Sequence, residues 1–293
     1  MVLLFAKEGQ LANRLWQSSF FIANAIEHNY SLLHLGFAEY IIYFNENVCV
    51  HSCNARWRII DFETTLKKDR LLIKYANLSK AYFEKHNRHY PFIRELNFFD
   101  YAPQADGYDL SQKKFLKTVR SNIVLVDGWQ FIDNSSFKKH ANTLRKIFTP
   151  NKKYVDNVES LKQECYIRYD VVVGVHLRKG DYATFNKGKW LFSNADYVSF
   201  MRQVKAFPSF SNKKVGFLLC SDGQINSTDF EEFGIVCTNN NFIEDLYALS
   251  FCDLIIGPPS TYSSWASFYG NKPLLHITEL DMRITEQGFK IAP

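Results

Sequence analysis

The chain of 293 residues contains no long apolar run and no leader of the charged-then-apolar type. Neither a membrane-spanning helix nor a secretory signal is therefore expected. No internal repeat and no low-complexity linker interrupts it, so the length suits one large domain or, more naturally, two. Charge of one sign is not gathered into a block, and the formal net charge is only +5. With neither a recognisable motif nor a long basic stripe, no nucleic-acid partner is expected. Short basic pieces such as Lys67-Lys68 and Lys152-Lys153 read as solvated faces that would also tolerate peripheral contact with anionic lipid. No Asp-x-Asp occurs anywhere, so that paired-carboxylate cradle for a divalent ion is missing.

The six cysteines, Cys49, Cys53, Cys165, Cys220, Cys237 and Cys252, are few and scattered. At least three fall in apolar segments, where a thiol behaves as a small hydrophobe. The cluster Cys49-Val50-His51-Ser52-Cys53 lacks a second ligand pair at zinc spacing, so no metal is expected there. A reduced, cytoplasmic setting fits this usage. Aromatic residues, by contrast, are abundant: 16 Tyr and 26 Phe exceed what a core strictly needs. They suit a cleft that stacks rings against sugars, with core packing as the plainer reading.

The segment from Val171 to Tyr182 anchors the rest. Val171-Val172-Val173-Gly174-Val175 reads as a strand buried on both faces. It then stops at His176-Leu177-Arg178-Lys179-Gly180-Asp181-Tyr182. A parallel strand that ends in charge delivers that charge to the C-terminal edge of its sheet, where open α/β folds bind ligands. Arg178 could neutralise a phosphate by a two-pronged hydrogen bond and Lys179 as a point charge. A surface turn with ordinary salt bridges is the plainer alternative.

Around this anchor, strands and helices alternate. A strand at Val2–Phe5 runs through Lys7-Glu8-Gly9-Gln10 into a helix reaching about His28, whose free N–H groups favour anions or hydroxyls. Ser31–Leu35 is a short strand and Phe37–Phe44 a helix or extended apolar segment. Leu71–Asn87 reads as helical, and Pro91–Thr118 gives no clear pattern. Ile123–Val126 is a strand, followed by a helix capped by Ser135 or Ser136 and closed by Pro150. The Thr149-Pro150-Asn151 punctuation divides the chain into domains at 1–150 and 151–293. In the second, helices near 154–166, 194–206 and 242–251 alternate with strands at 171–175, 215–219, 235–237, 254–256 and 273–277. This alternation predicts a parallel sheet with right-handed crossovers. Three strands end in polar signatures: Arg178 with Asp181, Asp222, and Ser260 with Thr261. All three would meet along one edge. The Ser260 turn opens a helix and would hold a phosphate through N–H groups and hydroxyls, or serve as a plain N-cap. Asp245, in the preceding helix, could accept two hydrogen bonds from a guanine edge or be an ordinary helix carboxylate.

Taken together, these residues resemble the bacterial α-1,2-fucosyltransferases of glycosyltransferase family 11, and share features with the superfamily that includes the α-1,6-fucosyltransferases. The family pattern His-x-Arg-Arg-Gly-Asp-Tyr is present as His176 to Tyr182. The downstream Asp-Tyr pair resembles Asp196-Tyr197, and the late motif is similar to Asp245 through Trp265. The N-terminal Gly-Gly-Leu-Gly-Asn-Gln turn is echoed by Gly9-Gln10-Leu11-Ala12-Asn13-Arg14, and the aromatic stretch by Gly128-Trp129-Gln130-Phe131. The chain departs from the pattern with Lys179 for Arg, Pro259 for Asn, Ser264 for the first Trp of a pair, and Ala12 and Arg14 in the first turn.

The resemblance implies a GT-B fold of two facing Rossmann-like α/β domains, with the nucleotide-sugar site in the C-terminal one. It implies that Arg178 binds the GDP pyrophosphate, that His176 and Asp245 contact the nucleoside, and that Thr261 with Ser260 contacts the phosphate. Lys179 and Asp222 would support that site, and Gly9 and Asn13 would line it from the N-terminal domain. The expected reaction is metal-independent transfer of fucose from GDP-fucose to a glycan hydroxyl with inversion, and no cofactor is expected. Asp181 and Glu8 are the candidate general bases. Two alternatives remain: a transferase for another nucleotide sugar, and a non-catalytic glycan- or nucleotide-binding protein on the same fold.

Overall fold

A computed structural model describes residues 1–44, 57–59, 74, 77–78, 81–82, 84–86, 93–97, 107–238 and 241–292. The cysteine cluster at 49–53 and most of the helix expected over 71–87 lie outside the described residues. The chain forms two units, Met1–Asn151 and Lys152–Pro293.

In the first unit β1 (Val2–Leu4) leads into α1 (Leu11–His28) and β2 (Leu32–His34). A short 3-10 turn at Ala38–Tyr43 follows, then β3 (Trp57–Ile59), β4 (Ile93–Asn97) and β5 (Tyr108–Asp109). The unit continues with α2 (Lys113–Ser121), β6 (Ile123–Asp127), β7 (Phe131–Ile132), α3 (Asn134–Lys139) and α4 (Ala141–Ile147). Five parallel strands stand in the order β3-β2-β1-β6-β4, and β5 pairs with β7 separately. Val2, Leu3 and Leu4 are fully buried in the centre of that sheet. α1 lays Leu15, Phe21 and Ile22 into the core and ends at Asn29, in the left-handed region (φ 52°) that Asn tolerates.

Two expectations need correction here. The cap of α3 is Asp133, whose carboxylate accepts from the Ser136 N–H at 3.0 Å, and not Ser135 or Ser136. A carboxylate is an equally good acceptor for a first-turn N–H, and its charge favours the helix N-terminus. The helix expected between that cap and Pro150 is two helices hinged at His140. Within the patternless stretch lie β4, β5 and the start of α2. β4 reads Ile-Arg-Glu-Leu-Asn, too polar for the run of apolar residues that marks a buried strand.

The second unit comprises α5 (Lys152–Arg168), β8 (Val171–Leu177), α6 (Asn194–Lys205), β9 (Val215–Ser221) and β10 (Gly234–Cys237). It closes with α7 (Phe242–Phe251), β11 (Leu254–Gly257), α8 (Thr261–Gly270) and β12 (Leu274–His276). Its five strands are all parallel, in the order β10-β9-β8-β11-β12. β8 is the central strand, and all seven of its residues are buried. Each fully buried Val or Leu there contributes about 1.5–3 kcal/mol. The strand order reverses direction between β8 and β11. Such a switch point leaves a crevice at the carboxyl ends of the two strands, because their following connections diverge to opposite faces. Gly257 lets β11 close on β8 at that point: a Cβ there would lie 2.9 Å from both the Cβ and the carbonyl oxygen of His176.

Among the described residues no helix is long and apolar enough to cross a membrane. Cys165, Cys220 and Cys252 are free and buried, and burial pushes the Cys165 thiol up to about 11.

Candidate functional site

The switch point of the second unit gathers most of the charged and polar residues singled out in the sequence. β8 delivers His176 and Arg178, and β9 delivers Asp222 beside them. The Arg178 guanidinium lies 3.0 Å from the Asp222 carboxylate, with side-chain exposures of 14% and 25%. The second carboxylate oxygen accepts the backbone N–H of Lys179 at 2.7 Å, so Asp222 ties both residues after β8 to the end of β9. The Arg178 backbone N–H donates to the Tyr197 hydroxyl at 3.3 Å, and its guanidinium lies 5.5 Å from the Tyr182 ring centroid. Tyr182 in turn donates its hydroxyl proton to the carbonyl of Pro259, at the mouth of α8. The arginine is thus held from several sides, so little conformational freedom would remain to be lost if it gripped an anion.

Lys179 turns its side chain towards the loop that follows it. Its ammonium donates to the Phe192 carbonyl at 3.1 Å and to Asn194 at 2.8 Å, and burial lowers its pKa. A flexible point charge reaches such loop acceptors, where a fork would not fit.

His176 is buried, with its ring stacked on Tyr262 at 5.0 Å and 30°. Burial, helped by the nearby Arg178, drives its pKa down to about 3, so the ring is neutral. Its Nδ1 has no hydrogen-bond partner among the described residues. Tyr262 is fixed by donating to the Phe242 carbonyl at 2.6 Å, which joins the first turn of α8 to the first residue of α7.

Asp245 stands in the first turn of α7, 4% exposed. Burial pushes its carboxyl up to about 7 against a lowering hydrogen bond from Thr238. One of its oxygens, Oδ1, is buried without a partner among the described residues. A buried acceptor left unpaired is costly, and such groups concentrate at ligand sites.

Ser260 serves as the N-cap of α8: its hydroxyl accepts from the Tyr262 N–H at 3.2 Å. Its carbonyl takes hydrogen bonds from Ser263 and Ser264 at 3.2 and 2.9 Å. Thr261 is exposed at the helix start. His276, from β12, meets the Ser263 hydroxyl at 3.3 Å and braces this turn from below. Sequence reading assigned no role to Tyr182, Tyr197, Tyr262 or His276. Each acts through a contact made by distant chain, which no local pattern records.

Asp181 opens a short 3-10 turn, and its side chain lies outside the description. In the first unit, Gly9 adopts φ +70° in the turn before α1. The Asn13 amide packs so close that a Cβ at Gly9 would lie 2.0 Å from its nitrogen. Arg14 bridges the Gly9 and Gly36 carbonyls at 3.2 and 2.9 Å and pairs with Glu39 at 2.6 Å. Glu8 is exposed at the same turn.

The family model of Glycosyl transferase family 11 matches residues 128–281, just over half of the chain. The chain belongs to this family. It is a glycosyltransferase, and no curated protein sequence matches it beyond that. In fold, this family member is similar to Arabidopsis thaliana FUT1 in complex with GDP, with a TM-score of 0.62 and 12% identity over 98% of this chain and 73% of that one. It is also similar to POFUT1 in complex with GDP-fucose (TM-score 0.57, 13% identity, 92% and 95% covered). A third likeness is to NodZ alpha-1,6-fucosyltransferase, an enzyme from Bradyrhizobium, co-crystallized with GDP (TM-score 0.54, 11% identity, 94% of each chain). At such identities the likeness is one of fold, and the fold of this family 11 chain is GT-B-like.

Proposed function

We propose that this family 11 chain transfers L-fucose from GDP-fucose to a glycan hydroxyl, with inversion and in α-1,2 linkage to galactose, in the synthesis of a surface polysaccharide or oligosaccharide. The observation that carries this reading is the half-buried Arg178 at the β8–β11 switch point, with the N-terminus of α8 following the neighbouring strand. A fork beside a helix N-terminus is an arrangement suited to diphosphate recognition. The buried Asp245, with an oxygen still to be paired, supports a guanine over a pyrimidine base, because the guanine edge offers two N–H donors side by side. The GDP and GDP-fucose held by the structural neighbours agree with that choice.

In the transfer an acceptor oxygen bonds to the anomeric carbon from the face opposite the leaving group. The carbon–oxygen bond to the β-phosphate breaks, its electron pair stays on the phosphate, and the acceptor proton passes to a base, for which Asp181 and Glu8 are the candidates. Arg178 and the α8 N–H groups would stabilise the growing phosphate charge. Preorganised groups of this kind are each worth about 3–4 kcal/mol. The reading is metal-independent. It rests on the lack of Asp-x-Asp in the sequence. Synthesis at the cytoplasmic face of a membrane fits this donor chemistry.

The test is thermal stabilisation by GDP, UDP and CDP, with and without the sugar, on the native protein and on Arg178→Ala. A ligand that binds only the folded state raises its midpoint by mass action. A shift confined to guanine nucleotides and lost in the variant is expected. A shift with a uridine or cytidine nucleotide rejects the donor, and no shift with any nucleotide rejects the reading.

A further inference from the structure

The loop that follows Arg178 carries three rings in a row. Tyr182 stacks on Phe185 at 5.2 Å and 28°, and Trp190 closes the group at 6.0 Å from Phe185 and 6.5 Å from Tyr182. Tyr182 is buried, Trp190 half-buried, and Phe185 presents 52% of its surface to solvent. A single exposed Phe is ordinary. A stacked and anchored group beside an anion-binding arginine is not, because the rings could have covered one another in the core instead.

Both ends of the loop are fixed. At its start the Tyr182 hydroxyl holds the Pro259 carbonyl, and at its end the Lys179 ammonium holds the Phe192 carbonyl and Asn194. Phe192 itself is buried against Tyr197. Between these points Asn186, Lys187 and Gly188 take φ of 48°, 58° and 74° in succession. Asn186 and Gly188 tolerate that region, while Lys187 does not favour it and is kept there by a chain held on both sides. The indole N–H of Trp190 is buried without a hydrogen-bond partner among the described residues. The loop therefore keeps an exposed ring and an unspent donor together, and the constraint fixes where they stand.

We infer that Phe185 and Trp190 form a platform for the pyranose ring of the acceptor, a residue-level basis for its choice that rests on the donor reading above. A pyranose has one face of C–H groups that packs on an aromatic ring, while its hydroxyls stay free to bond at the rim. The position separates acceptor from donor. Arg178 lies next to Tyr182, and Phe185 is one further ring beyond it. On this proposal a sugar hanging from a phosphate on Arg178 would lie beside Tyr182, and the acceptor sugar would lie on Phe185. Exposed Lys187 and Lys189 flank the platform and can donate to hydroxyls.

The experiment is saturation-transfer NMR with a panel of methyl glycopyranosides in the presence of GDP, on native protein, Phe185→Ala and Phe185→Tyr. At least one glycoside should receive saturation on its ring protons from the native protein and from Phe185→Tyr. In Phe185→Ala it should fall at least fivefold, with the GDP-induced thermal shift the same in all three. Equal saturation in Phe185→Ala, or no glycoside saturated by the native protein, overturns the platform. Weaker GDP-fucose binding in Phe185→Ala with glycoside binding unchanged would assign the ring to the donor sugar and also overturn it. A native protein that fails to bind GDP strikes the donor reading separately, and the glycoside arm run without nucleotide still decides the platform.

Discussion

Arg178 and Asp222 form a salt bridge of 3.0 Å at the carboxyl ends of two adjacent strands, each largely withdrawn from solvent. The pair holds the guanidinium in place and partly cancels its charge at the point where an anion would bind. Holding and cancelling oppose each other, and the two can be separated by mutation.

Arg178→Ala removes the fork and leaves the Asp222 carboxylate facing the proposed phosphate site. Turnover should fall roughly 10²–10³-fold, the loss seen when one preorganised donor to a developing oxyanion is deleted. Stability should also fall, by roughly 1–3 kcal/mol, because the Asp222 carboxylate left behind is largely withdrawn from solvent and loses its charged partner. Transfer rates and a thermal melt on the same preparation check both halves. A rate within tenfold of native would show that the β-phosphate charge is held elsewhere.

Asp222→Asn removes the negative charge and keeps one accepting oxygen, enough for either the Lys179 N–H or the guanidinium, with the amide NH2 left facing the other donor. GDP should then bind about fivefold more tightly, a gain of about 1 kcal/mol from one relieved repulsion across a partly solvated site. The gain should shrink in 0.5 M salt. Calorimetric titration at two ionic strengths reads it directly, and weaker binding in the variant would mean that holding the arginine matters more than its free charge.

The second unit was the more legible of the two. Val171 to Val175 is buried on both faces, so its residues are uniformly apolar, and the polar residues that follow mark the ligand edge without further information. β4 gave no such signal, since Arg94 and Glu95 interrupt its apolar residues. The cap of α3 was misplaced because Asp133 and the serines beside it are all good caps, and only geometry selects one. Lys179 was read as a phosphate ligand from its neighbour in sequence, while its ammonium is engaged by Phe192 and Asn194, thirteen and fifteen residues away. Contacts of that range have no local signature.

Gly9→Ala tests the turn of the first unit. The substitution places a Cβ in the left-handed region and 2.0 Å from the Asn13 amide nitrogen, so both backbone strain and a clash result. A loss of about 1–3 kcal/mol is expected, which lowers the melting midpoint by several degrees. Differential scanning calorimetry checks it. An unchanged midpoint would mean that the turn relaxes freely and does not fix the start of α1.

If Asp245 recognises the base as proposed, it makes nucleotide binding sensitive to pH, and the direction follows from its burial. Burial raises its carboxyl from 3.8 in the unfolded chain to about 7 in the folded one. Between those values the folded state binds the proton more tightly, so this group's contribution to stability is full at low pH and is lost as pH rises towards 7. The loss amounts to up to about 4 kcal/mol, and Asp245→Asn should abolish it, making the variant relatively more stable than native at pH 7.5 than at pH 4.5. Guanine binding reverses the preference, because two N–H donors need the ionised carboxylate. Below pH 7 the native protein must release a proton to bind GDP, so affinity should rise with pH and level off above about 7. The nucleotide's own phosphate titration affects native and variant alike, so the difference between their pH profiles isolates Asp245. Titrations at pH 5.5, 6.5 and 7.5 in buffers of different ionisation heat measure both the affinity and the proton released. Parallel profiles for the two proteins, with equal proton release, would remove Asp245 from the base-recognition site.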